Sequence, residues 1–361
     1  MDLDFWKGRR VFLTGHTGFK GSWLSLWLSK LQANVAGYAL APATSPNLFQ
    51  VAGVSGTLKN IYADVNDLEM LTAEMLGFEP EIVFHLAAQP LVRYSFANPI
   101  ETLQTNIMGT ANVLEAIRQT PSVRAGLIIT TDKCYEDRNW IWGYRENDAL
   151  GGYDPYSSSK AAAEIVTASY RNSFFHKDEY CNHRVALATA RAGNVLGGGD
   201  WAADRLVPDL LRSFADGGRP VLRNPHSIRP WQHVLEPLSG YLMLAREMVT
   251  HGAEFGESWN FGPDENDTIS VLELATKLSH ELGSLSQPLI DDSPQPHETN
   301  ILRLDTTKAR SRLSWRPILS IDETIEWISE WTLRHRNGED MHAITDQQID
   351  RYQALARENS K

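Results

Sequence analysis

Residues Arg10–Gly21 are RVFLTGHTGFKG, a short apolar run followed by glycines at the spacing GxxGxxG. Large apolar residues then recur at helical spacing from Trp23 to Leu31, so the stretch predicts a strand, a tight turn and a helix. Glycines let a backbone approach a pyrophosphate, and a helix N-terminus offers free N–H groups to the anion. This favours a dinucleotide site over a turn that binds nothing. The candidate contacts are Gly15, Thr17, Gly18, Phe19, Lys20 and Gly21.

The alternation of strand and helix patterns continues to about residue 191. A helical pattern spans about 99–117, and the apolar runs that predict strands are Val35–Leu40, Asn60–Val65, Glu81–Gln89, Ala125–Lys133 and Val185–Ala190. Such alternation predicts an α/β protein with a Rossmann-type, doubly wound parallel sheet. We expect the strand that begins at Glu81 to lie next to the glycine strand.

The ends of these strands carry further candidate cofactor contacts. The segment Ala41–Pro46 contains neither the acid typical of NAD sites nor the arginine typical of NADP sites, which leaves the choice of cofactor open. Asp64 can accept a hydrogen bond from an adenine amino group or cap the next helix, and both interpretations remain open. His85 is expected to be a core residue. Other candidate contacts are Val65, Leu86, Ala87, Gln89, Thr130 and Arg191.

Tyr156 and Lys160 form a Tyr-x-x-x-Lys pair that opens an alanine-rich helical stretch. A spacing of four places both side chains on one helix face. A cation about 4 Å away lowers the pKa of a phenol by up to ~3 units, less desolvation, which predicts a tyrosine base. The plainer interpretation is a half-buried tyrosine beside a surface lysine. Upstream, a strand ends in Thr131, Asp132 and Lys133, at the edge of the sheet where ligands bind.

Beyond residue 191 the clean repeats stop, which predicts three parts: a nucleotide-binding domain over 1–191, a smaller substrate lobe over 192–336 and a peripheral tail over 337–361. Some later segments are expected to return to the first domain. Scattered arginines usually form solvated surface pairs, but Arg223 and Arg229 flank a loop with little acid nearby to pair them. A solvated surface and an anionic ligand therefore both remain open as interpretations. The candidate substrate contacts are Asn194, Arg205, Arg223, Asn224, Arg229, Gln232 and Arg303.

Composition limits the classes of partner. The net charge of −11 is spread along the chain and argues against nucleic acid and anionic membranes. The 2 cysteines give no disulfide framework and the 11 histidines show no metal-binding spacing, so no metal is implied. The longest apolar runs are too short to span a membrane, and we expect a cytoplasmic protein.

These motifs occur together in a known group of enzymes. TGHTGFKG, HLAAQP, TTDKCY, YSSSK and TARAGNVLGGGDW, in this order, resemble the extended short-chain dehydrogenase/reductase superfamily over about residues 10–305. Within it, Trp140–Asn147 and the run RNPHSIRPWQH at Arg223–His233 are similar to the CDP-glucose 4,6-dehydratase family. The resemblance implies CDP-D-glucose as substrate, tightly held NAD as cofactor and a homodimer or homotetramer. It also implies a place in making dideoxy sugars of bacterial surface polysaccharide (O-antigen).

The resemblance implies a role for each reactive residue. Tyr156 removes the proton of the O4 hydroxyl, Thr131 polarises O4, and Lys160 holds the nicotinamide ribose. Asp132 protonates the departing 6-hydroxyl, which requires a protonated carboxyl. Related dTDP-glucose dehydratases have Asp-Glu where this chain has Asp132-Lys133, and there the Glu takes the C5 proton. Lys133 is therefore either a neutral base, the account preferred here, or a charged group that stabilises the enolate.

Two other functions remain compatible with the same fold. A nucleotide-sugar epimerase or reductase usually has Ser-Ser or Ser-Thr where Thr131-Asp132 stands, so the acid favours dehydration. A dinucleotide sensor without activity would have no use for Thr131, Tyr156 and Lys160 together.

Overall fold

The computed structural model describes residues 3–264, 267–284, 288–291, 293 and 302–359. Its strands are β1 (Arg10–Thr14), β2 (Asn34–Ala39), β3 (Lys59–Tyr62), β4 (Ile82–His85), β5 (Ala125–Ile129), β6 (Ala186–Ala192), β7 (Val195–Leu196), β8 (Val221–Leu222), β9 (Ile228–Arg229), β10 (Gln232–His233), β11 (Ser258–Phe261), β12 (Ile269–Ser270) and β13 (Leu289–Ile290).

Seven strands form one parallel sheet in the order β11-β6-β5-β4-β1-β2-β3. The order reverses direction at β1, as in doubly wound folds, which confirms the predicted Rossmann-type class. β4 lies next to β1, with Thr14 opposite His85, as expected. Six of these strands are buried almost completely because helices cover both faces, whereas the edge strand β3 is largely exposed.

The helices are α1 (Leu3–Trp6), α2 (Phe19–Lys30), α3 (Leu48–Val51), α4 (Leu68–Phe78), α5 (Val92–Ala97), α6 (Pro99–Leu103), α7 (Gly109–Gln119), α8 (Pro155–Ser173), α9 (Tyr180–His183), α10 (Leu206–Ala215), α11 (Leu235–His251), α12 (Val271–Glu281), α13 (Thr307–Arg312), α14 (Ile321–Arg336) and α15 (Met341–Glu358). A π-helical turn at Gln104–Met108 joins α6 to α7, so the helix predicted over 99–117 is interrupted. In the part of the chain that the structure describes, no helix is both long and apolar enough to span a membrane.

The chain beyond residue 191 contributes to both parts of the molecule. β11 pairs with β6 at the edge of the main sheet, and α11 packs beneath it with Leu238 and Leu242 fully buried. Helices α10 and α12 and one face of α14, together with β8, build a separate apolar cluster that includes Leu210, Leu222 and Trp231. This second cluster forms the smaller lobe, and the short pairs β7·β10, β8·β13 and β9·β12 shape it.

The C-terminal stretch differs from the predicted peripheral tail. α15 packs on α2 and α14, and its apolar residues Ile344, Ile349 and Tyr352 are buried in the main core. The stretch is polar overall, but its apolar residues share one helix face, which is enough to dock it. Helix α15 is therefore part of the folded domain.

A buried carboxylate, Glu236 on α11, joins α15 to the core. Its Oε1 accepts hydrogen bonds from the backbone N–H of Leu319 (2.7 Å) and Ile318 (2.9 Å), and its Oε2 accepts from the Tyr352 hydroxyl (2.7 Å). Burial raises the pKa of Glu236 to about 7 despite these bonds. The charged form is thus disfavoured in the folded chain.

We expect the stability of Glu236→Gln to have a different pH dependence from that of the natural chain. Between pH 4.5 and 7 the folded chain keeps the Glu236 proton whereas the unfolded chain releases it, so the natural chain loses stability as pH rises. Gln keeps the acceptor and the bond to Tyr352 but does not ionise. Urea unfolding should show the variant gaining about 3 kcal/mol relative to the natural chain from pH 5 to pH 8. A constant difference across this range would contradict the assignment.

Candidate active site

Two adjoining cavities open at the carboxyl edge of the main sheet. The smaller, about 350 Å³, lies over the glycine turn, and the larger, about 810 Å³, lies between the sheet and the second lobe. Both are lined by Phe19, Lys20, Pro90, Thr130, Tyr156 and Arg205. Residues at this junction can therefore contact ligands in both cavities. Among the described residues, no group of three His, Cys, Asp or Glu could hold a metal ion.

The glycine turn is shaped for close approach of a ligand. Gly15 has a φ of +78° and lies so close to the next strand that a Cβ there would be 2.6 Å from the backbone N of Ala87. A Cβ on Gly21 would lie 2.1 Å from the Gly15 carbonyl oxygen. Gly18 caps α2 without a side-chain hydrogen bond, so the first N–H groups of α2 remain available to an anion.

The remaining wall of the smaller cavity contains most of the predicted cofactor contacts. It is formed by Thr17, Asp64, Val65, Leu86 and Ala87, together with the turn itself. Thr17 donates a hydrogen bond to the Leu40 carbonyl, which ties the turn to the end of β2. The residue that caps α4 is Asp67, which accepts from Met70 N, and so the capping role considered for Asp64 is wrong.

Gln89 and His85 lie outside the cofactor cavity. Gln89 does not line either cavity: its side chain bonds to Thr102 Oγ1 (2.8 Å) and to the backbone of Leu91. His85 is fully enclosed between the hydroxyls of Thr14 and Thr110, and burial lowers its pKa to about 3. It is a hydrogen-bonded core residue, as expected.

Tyr156 and Lys160 lie on the first turns of α8, at the junction of the cavities. Asp154 caps α8 by accepting from Ser157 N, and the Tyr156 hydroxyl hydrogen-bonds to Thr131. Lys160 Nζ donates to the Ile129 carbonyl at the end of β5 (3.1 Å). The structure therefore brings Tyr156, Thr131 and Lys160 to the same edge of the sheet.

The electrostatics of the pair differ from the prediction. Burial raises the pKa of Tyr156 to about 12, whereas Lys160 was expected to lower it. Burial also lowers the pKa of Lys160 to about 8, which weakens its effect on the phenol. Lys20, at the same junction, has its pKa lowered to about 7 by burial and by the neighbouring Lys160 and Arg205. Desolvation outweighs attraction here because Tyr156 and Lys160 are buried and Lys20 is partly buried.

Asp132 and Lys133 form a linked pair next to Thr131. Lys133 Nζ donates to Asp132 Oδ1 (3.3 Å) and to Asn194 Oδ1 (3.2 Å), and Thr131 Oγ1 donates to the same Asp132 oxygen (3.0 Å). Lys133 lines the larger cavity, whereas Asp132 is fully buried behind it. Within the described residues nothing donates to Asp132 Oδ2, which faces Gly193. Asn194 thus lines the cavity and holds Lys133.

Arg191 was predicted to contact the cofactor, and the structure places it elsewhere. It is 2% exposed and lines neither cavity. Its Nη2 pairs with Glu164 Oε2 on α8 (2.7 Å), and its Nη1 donates to the Tyr135 hydroxyl (2.8 Å) and the Glu146 carbonyl (3.0 Å). Arg191 points to the helix side of β6, where an internal acid is available. The sequence analysis did not identify its partner, Glu164. The spacing of four residues from Lys160, which places Glu164 on the same face of α8 as the reactive residues, was the available signal.

The predicted substrate contacts divide into two groups. Arg205, Arg223, Asn224 and Arg229 line the larger cavity together with Asn194. Arg205 pairs with Asp200 (2.9 Å) and Arg223 with Asp204 (3.3 Å). Neither ion pair was predicted from the sequence. Gln232 is instead buried, with its Nε2 donating to the Phe261 carbonyl. The Arg303 carbonyl accepts from Tyr144 N, and its side chain does not line the cavity.

Comparison with known proteins gives the family. The family model for GDP-mannose 4,6-dehydratase matches residues 12–328. The chain belongs to this dehydratase family. It is 50% identical over 352 residues, 98% of both chains, to a CDP-glucose 4,6-dehydratase of Salmonella typhimurium, which confirms the resemblance found in the sequence.

Solved structures of proteins with low sequence identity share the fold of this chain. A dTDP-glucose 4,6-dehydratase of Streptomyces venezuelae, with NAD bound, has a TM-score of 0.77 at 22% identity, covering 92% of this chain and 99% of that one. A UDP-glucose 4-epimerase of Thermotoga maritima has a TM-score of 0.78 at 20% identity, covering 91% and 99%. Dehydratase and epimerase match equally well, so the backbone alone does not distinguish the two reactions.

Arg191→Lys should weaken the fold and leave dinucleotide affinity unchanged. Lysine keeps a positive charge opposite Glu164 but loses the bonds to Tyr135 and Glu146, so we expect stability to fall by about 1–3 kcal/mol. Chemical unfolding gives the stability, and fluorescence titration should find the Kd for NAD within about twofold of the natural value. A large loss of NAD affinity in a folded variant would restore Arg191 as a cofactor contact.

Proposed function

We propose that the chain dehydrates CDP-D-glucose to CDP-4-dehydro-6-deoxy-D-glucose with NAD as cofactor, acting as a hydro-lyase. The observation that carries this proposal is the 50% identity, over nearly the full length of both chains, to a CDP-glucose 4,6-dehydratase. The positions of Thr131, Tyr156 and Lys160 at the junction of two cavities support it, because dinucleotide and sugar must meet there. The product suits the synthesis of deoxy sugars for bacterial surface polysaccharide.

The smaller cavity fits NAD. The uncapped N-terminus of α2 and the glycines at 15, 18 and 21 suit a pyrophosphate, and Asp64 lines the same cavity. Lys160, at the Tyr156 end, is placed to hold the nicotinamide ribose. When bound, NAD supplies the acceptor for the C4 hydride and the donor that returns it to C6, which makes the reaction redox-neutral overall.

At the sugar, Tyr156 takes the O4 proton while Thr131, hydrogen-bonded to Tyr156, polarises O4. The raised pKa of Tyr156 means that its phenolate needs a nearby positive charge, and both Lys160 and Lys20 are at the same junction. An anion beside these lysines favours their charged forms. Charged lysines in turn favour the phenolate, so binding and activation are coupled.

For the loss of water, we assign Lys133 the charged role. A carboxylate and an amide oxygen both accept from its Nζ, and this arrangement stabilises an ammonium group. In the larger cavity the ammonium can stabilise the enolate that forms when C5 loses its proton. Asp132 then receives the C5 proton and returns it to the 6-hydroxyl as water leaves. This transfer requires the Asp132 side chain to turn from its buried position towards the cavity.

The nucleotide is assigned to the second lobe. Arg223 and Arg229, with Asn224, line the larger cavity, and arginine suits a diphosphate because it can bind two oxygens at once. Arg205, at the junction of the cavities, is placed to contact the phosphate nearest the sugar.

We also propose a homodimer or homotetramer in the cytoplasm. Helices α5 to α8 present a group of exposed apolar side chains that a second copy would cover: Tyr94, Phe96, Ile100, Met108, Ile165 and Phe174. The free cysteines Cys134 and Cys181 are typical of a reducing compartment.

The function is tested by mixing the purified chain with NAD and CDP-glucose. We expect a 4-keto sugar, detected by its ultraviolet absorbance in alkali, with no net formation of NADH. Deuterium placed at C4 should be found at C6 of the same molecule. Formation of a C4 epimer without keto sugar, or accumulation of NADH, would instead indicate an epimerase or a dehydrogenase.

Two substitutions separate the roles of Lys133. Arginine keeps the positive charge but does not deprotonate in proteins, so Lys133→Arg should exchange the C5 hydrogen with solvent within about tenfold of the natural rate. Lys133→Met removes the charge and should lower exchange by about 10²-fold or more. Exchange is followed by mass spectrometry in deuterated water. If the arginine variant fails as severely as the methionine variant, Lys133 is the base.

A further inference from the structure

The lining of the larger cavity includes residues of α10 and of the segment that leads into and forms β8, and this part of the cavity is called the slot. Leu206, Asp209 and Ser213 line it from α10, and their spacing of three and four residues places them on one helix face. Arg219–Leu222 also line it. Leu206, Val221 and Leu222 make the walls largely apolar, which suits a flat aromatic ring.

The slot is placed at the nucleoside end of the cavity. Arg223 follows β8 directly, so the predicted diphosphate contact adjoins the slot. The reactive residues Thr131, Lys133 and Tyr156 line the same cavity from the main sheet. A nucleotide sugar with its diphosphate at Arg223 and its hexose at Tyr156 leaves the slot for its base.

Asp209 is the unusual residue of this slot. A carboxylate repels an anion that binds in the same cavity. For Asp200 and Asp204 this repulsion is cancelled, because each pairs with an arginine that also lines the cavity, Arg205 and Arg223 respectively. Asp209 pairs through Oδ1 with Arg212, which lies outside the cavity lining. Arg212 is in turn fixed by the Trp201 carbonyl (3.0 Å). Within the described residues, Asp209 Oδ2 has no hydrogen bond, so an acceptor remains in the slot.

We propose that Asp209 selects the base of the nucleotide by accepting a hydrogen bond from the exocyclic amino group of cytosine. Uracil and thymine have a carbonyl oxygen at this position, which would meet the carboxylate as a second acceptor. Selection therefore combines attraction for cytosine with repulsion of the other pyrimidines. The inference rests on the proposed function for the identity of the nucleotide, and it adds the residue that reads the base.

The test compares the binding of CDP and UDP by calorimetry, which requires no turnover. The natural chain should bind CDP at least about tenfold more tightly than UDP, since a site built to hydrogen-bond one group rejects the analogue without it. Asp209→Asn, whose amide can donate to the uracil carbonyl, should lower this ratio to about one or invert it. Asp209→Ser, which removes the charge without adding the amide, should bring the ratio towards one.

Asp204→Asn is the matched control, because it removes the same charge from the same cavity but next to Arg223. It should change CDP and UDP affinity by the same factor. An unchanged CDP/UDP ratio in both Asp209 variants, with NAD binding retained as evidence of folding, would overturn the proposal. A natural chain that binds both nucleotides equally would also overturn it. Failure to dehydrate CDP-glucose, with the binding ratios as expected, would instead refute the reaction and leave the base selection standing.

Discussion

The positions of the reactive residues depend on the buried ion pair between Glu164 and Arg191. Besides Arg191, the Glu164 carboxylate accepts from Thr130 after β5 (2.5 Å), Thr189 on β6 (2.7 Å) and Ser258 on β11 (3.3 Å). One side chain thus connects α8 to three neighbouring strands. A buried ion pair adds little net stability, but separating its two partners is costly because it leaves a buried charge unpaired. The main effect of the pair is therefore to exclude other positions of α8 relative to the sheet. Here it fixes the turn of α8 that carries Lys160.

Desolvation sets the electrostatics of the junction. Tyr156, Lys160 and Lys20 all have pKa values shifted towards their neutral forms, because desolvation is the largest effect on each. The acid nearest Lys160, Glu164, is already paired with Arg191. Such a site responds strongly to an added anion, since the interior screens charge poorly. The same lack of water that holds Tyr156 neutral therefore makes its ionisation sensitive to what occupies the two cavities.

Sequence reasoning succeeded where local pattern and tertiary structure agree. The glycine turn, the neighbouring of β4 and β1 and the position of Thr131 at the edge of the sheet follow from period, turn chemistry and the geometry of parallel sheets. The meeting of Thr131 with Tyr156 was implied by the family resemblance. It failed where a side chain's partner is remote in sequence. The only signal for the partner of Arg191 is the spacing of Glu164 from Lys160, which does not show that the two side chains meet. Nothing in the polar C-terminal stretch indicates that Tyr352 reaches Glu236. Such pairings are set by packing.

The arginines of the larger cavity show how an acidic protein can hold a diphosphate. Arg205 and Arg223 are paired with Asp200 and Asp204, so each guanidinium is already held near one geometry. Ordering a long side chain costs about 1.5–2 kcal/mol, and pre-paired arginines have met part of that cost before the ligand arrives. A singly charged ligand gains little by displacing a carboxylate. A diphosphate, with more charge and several oxygens, can compete for both arginines at once, which favours nucleotide diphosphates over monoanions.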